Sequence, residues 1–142
     1  MVNKTINAIT KNLHQKFGDT YRYYVEDVEQ NLVKPCFLVE VLIPLQRSVN
    51  ATSYYRTMPC VIHYFTKEKI KTKADCYSIA EDILNALEYI TIDGRLIRGE
   101  NISYQLVEGV LQLFITYNMW TEKVTTTETD MENVDYQQSS IE

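Results

Sequence analysis

Cys60 and His63 come nearest, by residue type and separation, to a nucleophilic site in this chain. An imidazole activates a thiol as a nucleophile when the two side chains lie within hydrogen-bonding reach. The surrounding stretch is rich in β-branched and aromatic residues and predicts a strand, on which side chains three positions apart point to opposite faces. Unless a bulge at Pro59 reverses this arrangement, the pattern favours a buried thiol and a separate histidine satisfied by a hydrogen bond.

The same residue types do not form a metal site in the sequence. The histidines, His14 and His63, lack the H-x-x-x-H spacing that puts two ligands on one helical face, and no Cys-x-x-Cys pair is present. Three widely spaced cysteines, Cys36, Cys60 and Cys76, also argue against a disulfide framework and fit a reducing compartment. We therefore expect neither a metal nor another cofactor.

Two acidic pairs and one arginine-glycine stretch are the remaining candidates for chemistry. Glu26–Asp27 and Glu81–Asp82 are adjacent in sequence, which is typical of solvated faces and not of convergent acid–base groups. The stretch DGRLIRG, residues 93–99, lacks the spacing of a phosphate-binding loop, and its Asp-Gly predicts a tight turn between two strands. Arg95 and Arg98 then point to opposite faces of the second strand. None of these patterns identifies an enzyme.

Charge divides the chain into two regions. The formal net charge is −5, and residues 121–142 carry all of it, with six acids against one base. Residues 1–120 are balanced at 13 acids and 13 bases, which argues against the clustered cationic surface of a nucleic-acid binder. Residues 121–142 are acidic, threonine-rich and without periodicity. We therefore predict a folded domain at 1–120 followed by an acidic tail that is disordered or ordered by a partner.

Two amphipathic helices must support whatever surface the chain presents. The first apolar stripe ends at Gly18, a residue suited to a helix C-terminus, and the second follows a capping-box-like pair, Thr72 and Asp75. The first stripe consists of Val2, Ile6, Ile9, Leu13 and Phe17, and the second of Cys76, Ile79, Ala80, Ile83, Leu87 and Ile90.

Strand patterns surround the second helix and define the expected fold class. Pro59, inside one of these strands, predicts an edge position or a bulge, because proline cannot donate a ladder hydrogen bond. Glu108-Gly109 predicts a two-residue hairpin turn. The predicted strands cover residues 20–25, 36–44, 54–65, 96–107 and 110–120, with 45–53 as a loop or a wide hairpin tip. This order indicates an α+β two-layer sandwich, in which an antiparallel or mixed sheet of four to five strands carries both helices on one face.

Four separated blocks of the chain resemble a known family of virion proteins. The blocks are VEQNLVKPCFLVEVLIP, YYRTMPCVIHYF, AEDILNALEYITIDGRLIRG and YQLVEGVLQLFITYNMW. Together, over residues 5–120, they resemble the small tail terminator proteins encoded in tail operons of phages and prophages of Gram-positive bacteria. No block is a catalytic signature, so the resemblance concerns the structural scaffold and not an active site.

The resemblance implies a structural role without a cofactor. Tail terminators form a hexameric ring on the last ring of tube protein, stop tube growth and offer a surface for joining the filled head. The implied partners are other copies of the chain, the tube protein and a head-tail connector, while DNA passes through the lumen without specific binding. The implied location is the host cytoplasm during assembly and then the head-proximal end of the virion tail.

Polar connections and dense charge indicate which residues would contact these partners. We expect segments 45–53 and 66–73 to touch ring neighbours or the tube, because long polar connections are often functional. Open sheet edges also favour pairing with a neighbouring subunit. The candidate interface residues are Arg47, Lys69, Lys71, Arg95, Arg98 and Glu100.

Three other functions stay open at the level of sequence. A head-tail stopper or joining protein shares this size and build. A small hydrolase or nuclease would need convergent acids or a histidine site, which the sequence does not display. A binding module with an acidic tail, unrelated to viruses, is the third alternative.

Overall fold

The computed structural model describes residues 1–25, 32–67, 70 and 72–122. The Glu26–Asp27 pair and the predicted acidic tail beyond residue 122 lie outside these residues. Within the described ranges, no helix has the length and hydrophobicity that crossing a bilayer requires. The elements in chain order are α1 (Val2–Phe17), β1 (Arg22–Tyr24), β2 (Cys36–Val41), β3 (Leu45–Ser48), β4 (Ser53–Phe65), α2 (Lys73–Leu87), β5 (Tyr89–Ile92), β6 (Arg95–Val107) and β7 (Val110–Glu122).

Both helices begin or end as their sequence signals predict. Gly18 closes α1 with a positive φ of 82°, and its N–H donates to the carbonyl of His14 at 2.8 Å. Thr72 caps α2 by accepting a hydrogen bond from the Asp75 N–H at 3.1 Å. The second apolar stripe overshoots the helix, however, because α2 ends at Leu87 and Ile90 is a buried residue of β5.

The described strands form one strongly curled, mixed sheet of seven strands. Its order is β1-β2-β4-β7-β6-β5, and β3 pairs with β4 on the same side as β2. Only β1 and β2 run parallel, while every other pair is antiparallel. The α+β class is therefore confirmed, whereas the predicted number of four to five strands is wrong. The two additional strands are β3, whose side chains are all exposed, and the short β5.

A single core lies between the helices and one face of the sheet. The odd-numbered residues of β7 from Leu111 to Met119 are all buried, as predicted, and they pack with alternate residues of β4 such as Ile62. Both helices bury one stripe of side chains against this face. The most deeply buried apolar members of the two stripes are Ile9, Leu13, Ala80, Ile83 and Leu87. The opposite face of the sheet, called the helix-free face below, carries no helix of the described chain.

Two tight turns set the register of the hairpins. Asp93 and Gly94 have φ values of 52° and 80°, and Glu108 and Gly109 have values of 51° and 79°. Positive φ at both central residues is typical of the type I′ turn, whose twist matches that of paired strands. Both predicted turns are confirmed, so DGRLIRG is a turn followed by the start of β6.

Pro59 lies in β4, which is a central strand and not an edge. Its carbonyl accepts the N–H of Leu42 at 2.8 Å, and in an antiparallel pair the N–H and C=O of one residue face the same neighbour. The missing donor therefore faces residues 42–44, where the partner strand is interrupted between β2 and β3. The edge alternative is wrong, and the irregularity that accommodates the proline lies in the neighbouring strand.

Candidate assembly surface

The residues that could have formed a catalytic pair lie on opposite faces of the sheet. Cys60 is 1% exposed in the core, and burial raises the pKa of its thiol to about 12, so a reactive thiolate is disfavoured. His63 points to the helix-free face, where its Nε2 lies 3.1 Å from Glu40 Oε1. The predicted separation and the predicted hydrogen bond of the histidine are confirmed. Among the described residues, no group of three or more His, Cys, Asp or Glu is placed to hold a metal ion.

Three strands continue past the end of the core and form what we call the β-extension. It consists of β3, residues 53–57 of β4 and residues 118–122 of β7. Of its side chains only that of Met119 is buried, at 4% exposure. The opposite end of the sheet is closed by packed aromatic rings, among them Phe37 and Tyr64 with centroids 5.0 Å apart. The domain thus has one closed end and one that projects.

On the helix-free face, the β-extension carries a row of three side chains that crosses its three strands. Arg47 of β3 lies over the Tyr55 ring at 5.6 Å, and Tyr55 meets Trp120 edge to face at 5.1 Å. Trp120 is 53% exposed. Arginine, tyrosine and tryptophan are the residue types that contribute most binding energy at protein interfaces. The row is therefore built like the centre of a contact site, although nothing in the described chain covers it.

Unpartnered polar atoms also concentrate in the β-extension. Buried side-chain atoms without a hydrogen-bond partner in the described part of the chain are Arg56 Nε, Asn118 Oδ1 and Thr121 Oγ1, and all three belong to this segment. Leaving such an atom unsatisfied costs about 1–3 kcal/mol, so each requires an explanation. These atoms are covered by the chain itself, so they mark a strained, polar segment and not groups that a docking partner could reach.

Exposed apolar residues border the β-extension where β2 passes into β3. Ile43 is 74% exposed and Leu45 62% exposed, Leu42 precedes them in the chain, and the exposed Val49 lies at the other end of β3. Single exposed apolar residues are ordinary on protein surfaces, but a continuous group marks an interaction site. Together with the row on the helix-free face, these residues make the projecting end the most interface-like surface among the described residues.

The structure gives intrachain partners to the charged residues singled out around DGRLIRG. Arg95 donates from Nη2 to the Trp120 carbonyl at 2.7 Å, which ties the start of β6 to the β-extension. Arg98 lies 3.7 Å from Glu88, and both side chains are largely exposed, so the pair contributes below ~1 kcal/mol. Glu100 accepts a long hydrogen bond from Asn118 at 3.5 Å. Their contact with another subunit stays a prediction.

Of the remaining candidates, Arg47 takes part in the row just described, whereas Lys69 and Lys71 lie outside the described residues. Tyr55 and Trp120 were missed as interface residues by the sequence reasoning. They are far apart in the chain, and only the register of β4 with β7 brings them together. A usable signal was present, because Trp120 is the single tryptophan and lies on the face of β7 opposite the core.

The sequence of the chain also matches a known protein family. A family model described as "Phage tail terminator protein" matches residues 4–130, which is most of the chain and includes every strand, α2 and all but the first two residues of α1. No curated protein sequence was found to match.

Proposed function

The chain belongs to the phage tail terminator family, and we propose that it caps the head-proximal end of the tail tube as a ring. In this role it stops polymerisation of the tube protein and provides the surface to which the head is joined. The family match over residues 4–130 is the observation that carries the proposal. This family is structural and not catalytic, which agrees with the buried Cys60 thiol and its separation from His63.

The β-extension supports this function, because a tube cap must bind its partners through accessible surface. Its row of Arg47, Tyr55 and Trp120 offers aromatic and cationic contacts, and Trp120 is 53% exposed. We propose that the β-extension contacts the tube or a ring neighbour. The longer candidate set, Lys69, Lys71, Arg95, Arg98 and Glu100, would then lie in the same assembly contacts.

The charge balance suits a ring through which DNA must slide. Residues 1–120 are neutral overall, so they supply no net cationic charge that would hold the phosphate backbone by counterion release. We propose that these residues are the ring-building unit and that 121–142 is an acidic appendage, although the family match runs past this boundary to residue 130. The proposed partners are further copies of the chain, the tube protein and a head-tail connector, in a phage or prophage of a Gram-positive host.

Deletion of the gene tests the function directly. Electron micrographs of the resulting lysate should show overlong tubes that are not attached to heads, and plasmid-borne wild-type protein should restore normal tails. Tubes of normal length joined to heads would refute the proposal. Unattached tubes of normal length would indicate the alternative, a stopper or joining protein, since that class acts after tube length has been fixed.

Complementation with variants then tests the β-extension. Trp120→Ala removes an exposed aromatic ring from the proposed contact site, whereas Tyr89→Ala removes one of similar exposure, 44%, from β5 on the far side of the sheet. We expect Trp120→Ala to lower the titre at least about tenfold, because hot-spot truncation costs ~2 kcal/mol or more, and Tyr89→Ala to complement fully. Equal titres for the two variants would remove the β-extension from the contact.

A further inference from the structure

Several strands of the described sheet, among them β1, β3, β5 and β6, have an edge without a partner strand, and two of these edges are complementary. One is the outer edge of β3, since β4 occupies its other side. The other is β6 beyond Gly99, because β5 pairs only with residues 95–98 and the Gly99 N–H ends that ladder by donating to Glu88 O at 2.7 Å. Open edges invite pairing with another chain and are usually blunted or covered.

The hydrogen bonds of β3 show which of its backbone groups face outward. Val49 N–H donates to Ser53 O at 3.0 Å, in the same register as the pairs Leu45 with Thr57 and Arg47 with Tyr55. Hydrogen-bonded and non-bonded positions alternate along an antiparallel strand, so Leu45 and Arg47 bond to β4. Gln46 and Ser48, between them, therefore direct their N–H and C=O groups to the open edge.

The same reasoning applies to β6. The two-residue turn at Glu108-Gly109 makes Val107 and Val110 a hydrogen-bonded pair, so Gln105 and Ser103 also bond to β7. The backbone groups of Tyr104 and Leu106 then face outward. Each edge thus offers two adjacent sets of donors and acceptors at the spacing of a strand ladder.

Side chains and strand directions make the two edges complementary. The β3 segment, residues 45–49, carries Arg47 and no acid, while residues 100–108 carry Glu100 and Glu108 and no base. The strands β3 and β6 run in opposite directions, because three antiparallel steps separate them. Rotation about a ring axis that lies along the strands leaves the direction of each strand unchanged. The β3 strand of one copy and the β6 strand of the next would therefore pair antiparallel. The two edges lie at different positions along the strand direction. When tilted strands close into a ring, the strands of neighbouring subunits must be offset in this way.

We propose that the β3 edge of one subunit pairs with the β6 edge of the next copy of this chain, so that the sheet continues across each subunit boundary. This contact rests on the ring proposed above and assigns its lateral interface. Because two different edges meet, the contact is heterologous, and repeated rotation closes it into a ring. Arg47 of one subunit would lie near the acidic β6 edge of its neighbour.

Cysteine cross-linking in purified tails tests the pairing. Pairing the outward groups of Gln46 and Ser48 with those of Leu106 and Tyr104 places Leu45 opposite Val107. Leu45 and Val107 are both exposed and both point to the helix-free face, whereas the native Cys36, Cys60 and Cys76 are buried and give little background. With a short bismaleimide, tails that contain the double variant Leu45→Cys/Val107→Cys should give a ladder of covalent multimers up to the closed ring. Tails with either single variant should give monomers only. Dimers from a single variant, or monomers from the double variant, would overturn the proposal.

Proline substitution tests the backbone contact separately. Gln46→Pro removes one outward N–H and leaves the β3–β4 ladder intact, and Gln46→Ala is the matched control that keeps the N–H. If both purified proteins unfold at the wild-type urea concentration, we expect Gln46→Pro alone to lower the complementing titre about tenfold or more. Equal titres would contradict strand pairing. Overlong tubes in the deletion strain, combined with failed cross-linking, would refute this interface and leave the capping function standing.

Discussion

Gly99 is where the close approach of β6 to the central strand β7 can be tested most sharply. A Cβ built at this position would lie 2.7 Å from Ile115 Cγ1 and would overlap Cδ1 of the same side chain. Its φ is not in the left-handed region, unlike those of the turn glycines, so Gly99→Ala would cost free energy through steric overlap alone. Ile115 is 1% exposed and has no solvent-filled space into which it can swing. Overpacking of this kind destabilises by about 1–3 kcal/mol.

A double-mutant cycle with Ile115 measures this overlap. Ile115→Ala alone should destabilise by about 2–5 kcal/mol, because it leaves a cavity in the core. In the Ile115→Ala background the methyl group that Gly99→Ala adds meets no clash and fills part of that cavity, so we expect a favourable coupling of ~1–3 kcal/mol. Urea unfolding of the four purified proteins gives the free energies, and unchanged m-values would show that the comparison is two-state.

Gly18→Ala is the matched control for the cycle. Gly18 has a φ of 82° and a ψ of −165°, a conformation essentially restricted to glycine, and open space where a Cβ would lie, so alanine there strains the backbone by about 1–3 kcal/mol without touching Ile115. That cost should be the same in both Ile115 backgrounds. If the losses in unfolding free energy caused by Gly99→Ala and Ile115→Ala add in the double variant to within ~0.5 kcal/mol, the steric argument is refuted.

Three further substitutions test contacts that hold α2 and the core. Tyr117→Phe removes the hydroxyl that donates to the Leu87 carbonyl at 2.5 Å, so urea unfolding should show a loss of about 1–3 kcal/mol, and no loss would mean the bond is not formed. Thr72→Ala removes the cap on the Asp75 N–H and should cost ~1 kcal/mol, whereas Thr72→Ser should retain most of it. Burial raises the pKa of the Cys60 thiol from its ordinary 9.0 to about 12, so the folded chain keeps a proton that the unfolded chain releases. The free energy of unfolding should therefore fall from pH 9 to pH 12 more steeply in the wild type than in Cys60→Ala, and parallel pH profiles would contradict this.

Local signals predicted the parts of the fold that local chemistry decides. The spacing of α1, the Thr72 cap and the two glycine turns each act within a few residues, and all are present in the structure. The strand β3 was not predicted, because LQRS has no apolar alternation and is extended through its pairing with β4. The strand β5 was absent from the predicted strands because Ile90 continues the apolar spacing of α2, although the predicted Asp-Gly turn between two strands implied it.

The candidate site depended on long-range register and was harder to predict. Arg47 was selected for its place in a polar connection, but its neighbours Tyr55 and Trp120 adjoin it only through two strand pairings. The unpartnered atoms of Arg56 and Thr121 likewise depend on where the core ends, which composition does not specify. Charge density suggested Arg98 as an interface residue, and the structure shows that Glu88 of the same chain already lies beside it.

The placement of the β-extension at one end of the domain gives any ring of these subunits a direction. Rotation about a ring axis carries every extension to the same rim, and the opposite rim receives the ends closed by aromatic packing around Phe37. The two rims are then chemically unlike, so such a ring could seat on the tube in only one orientation. A subunit with this asymmetry would distinguish tube from head without any conformational change, because the distinction is already present in each monomer.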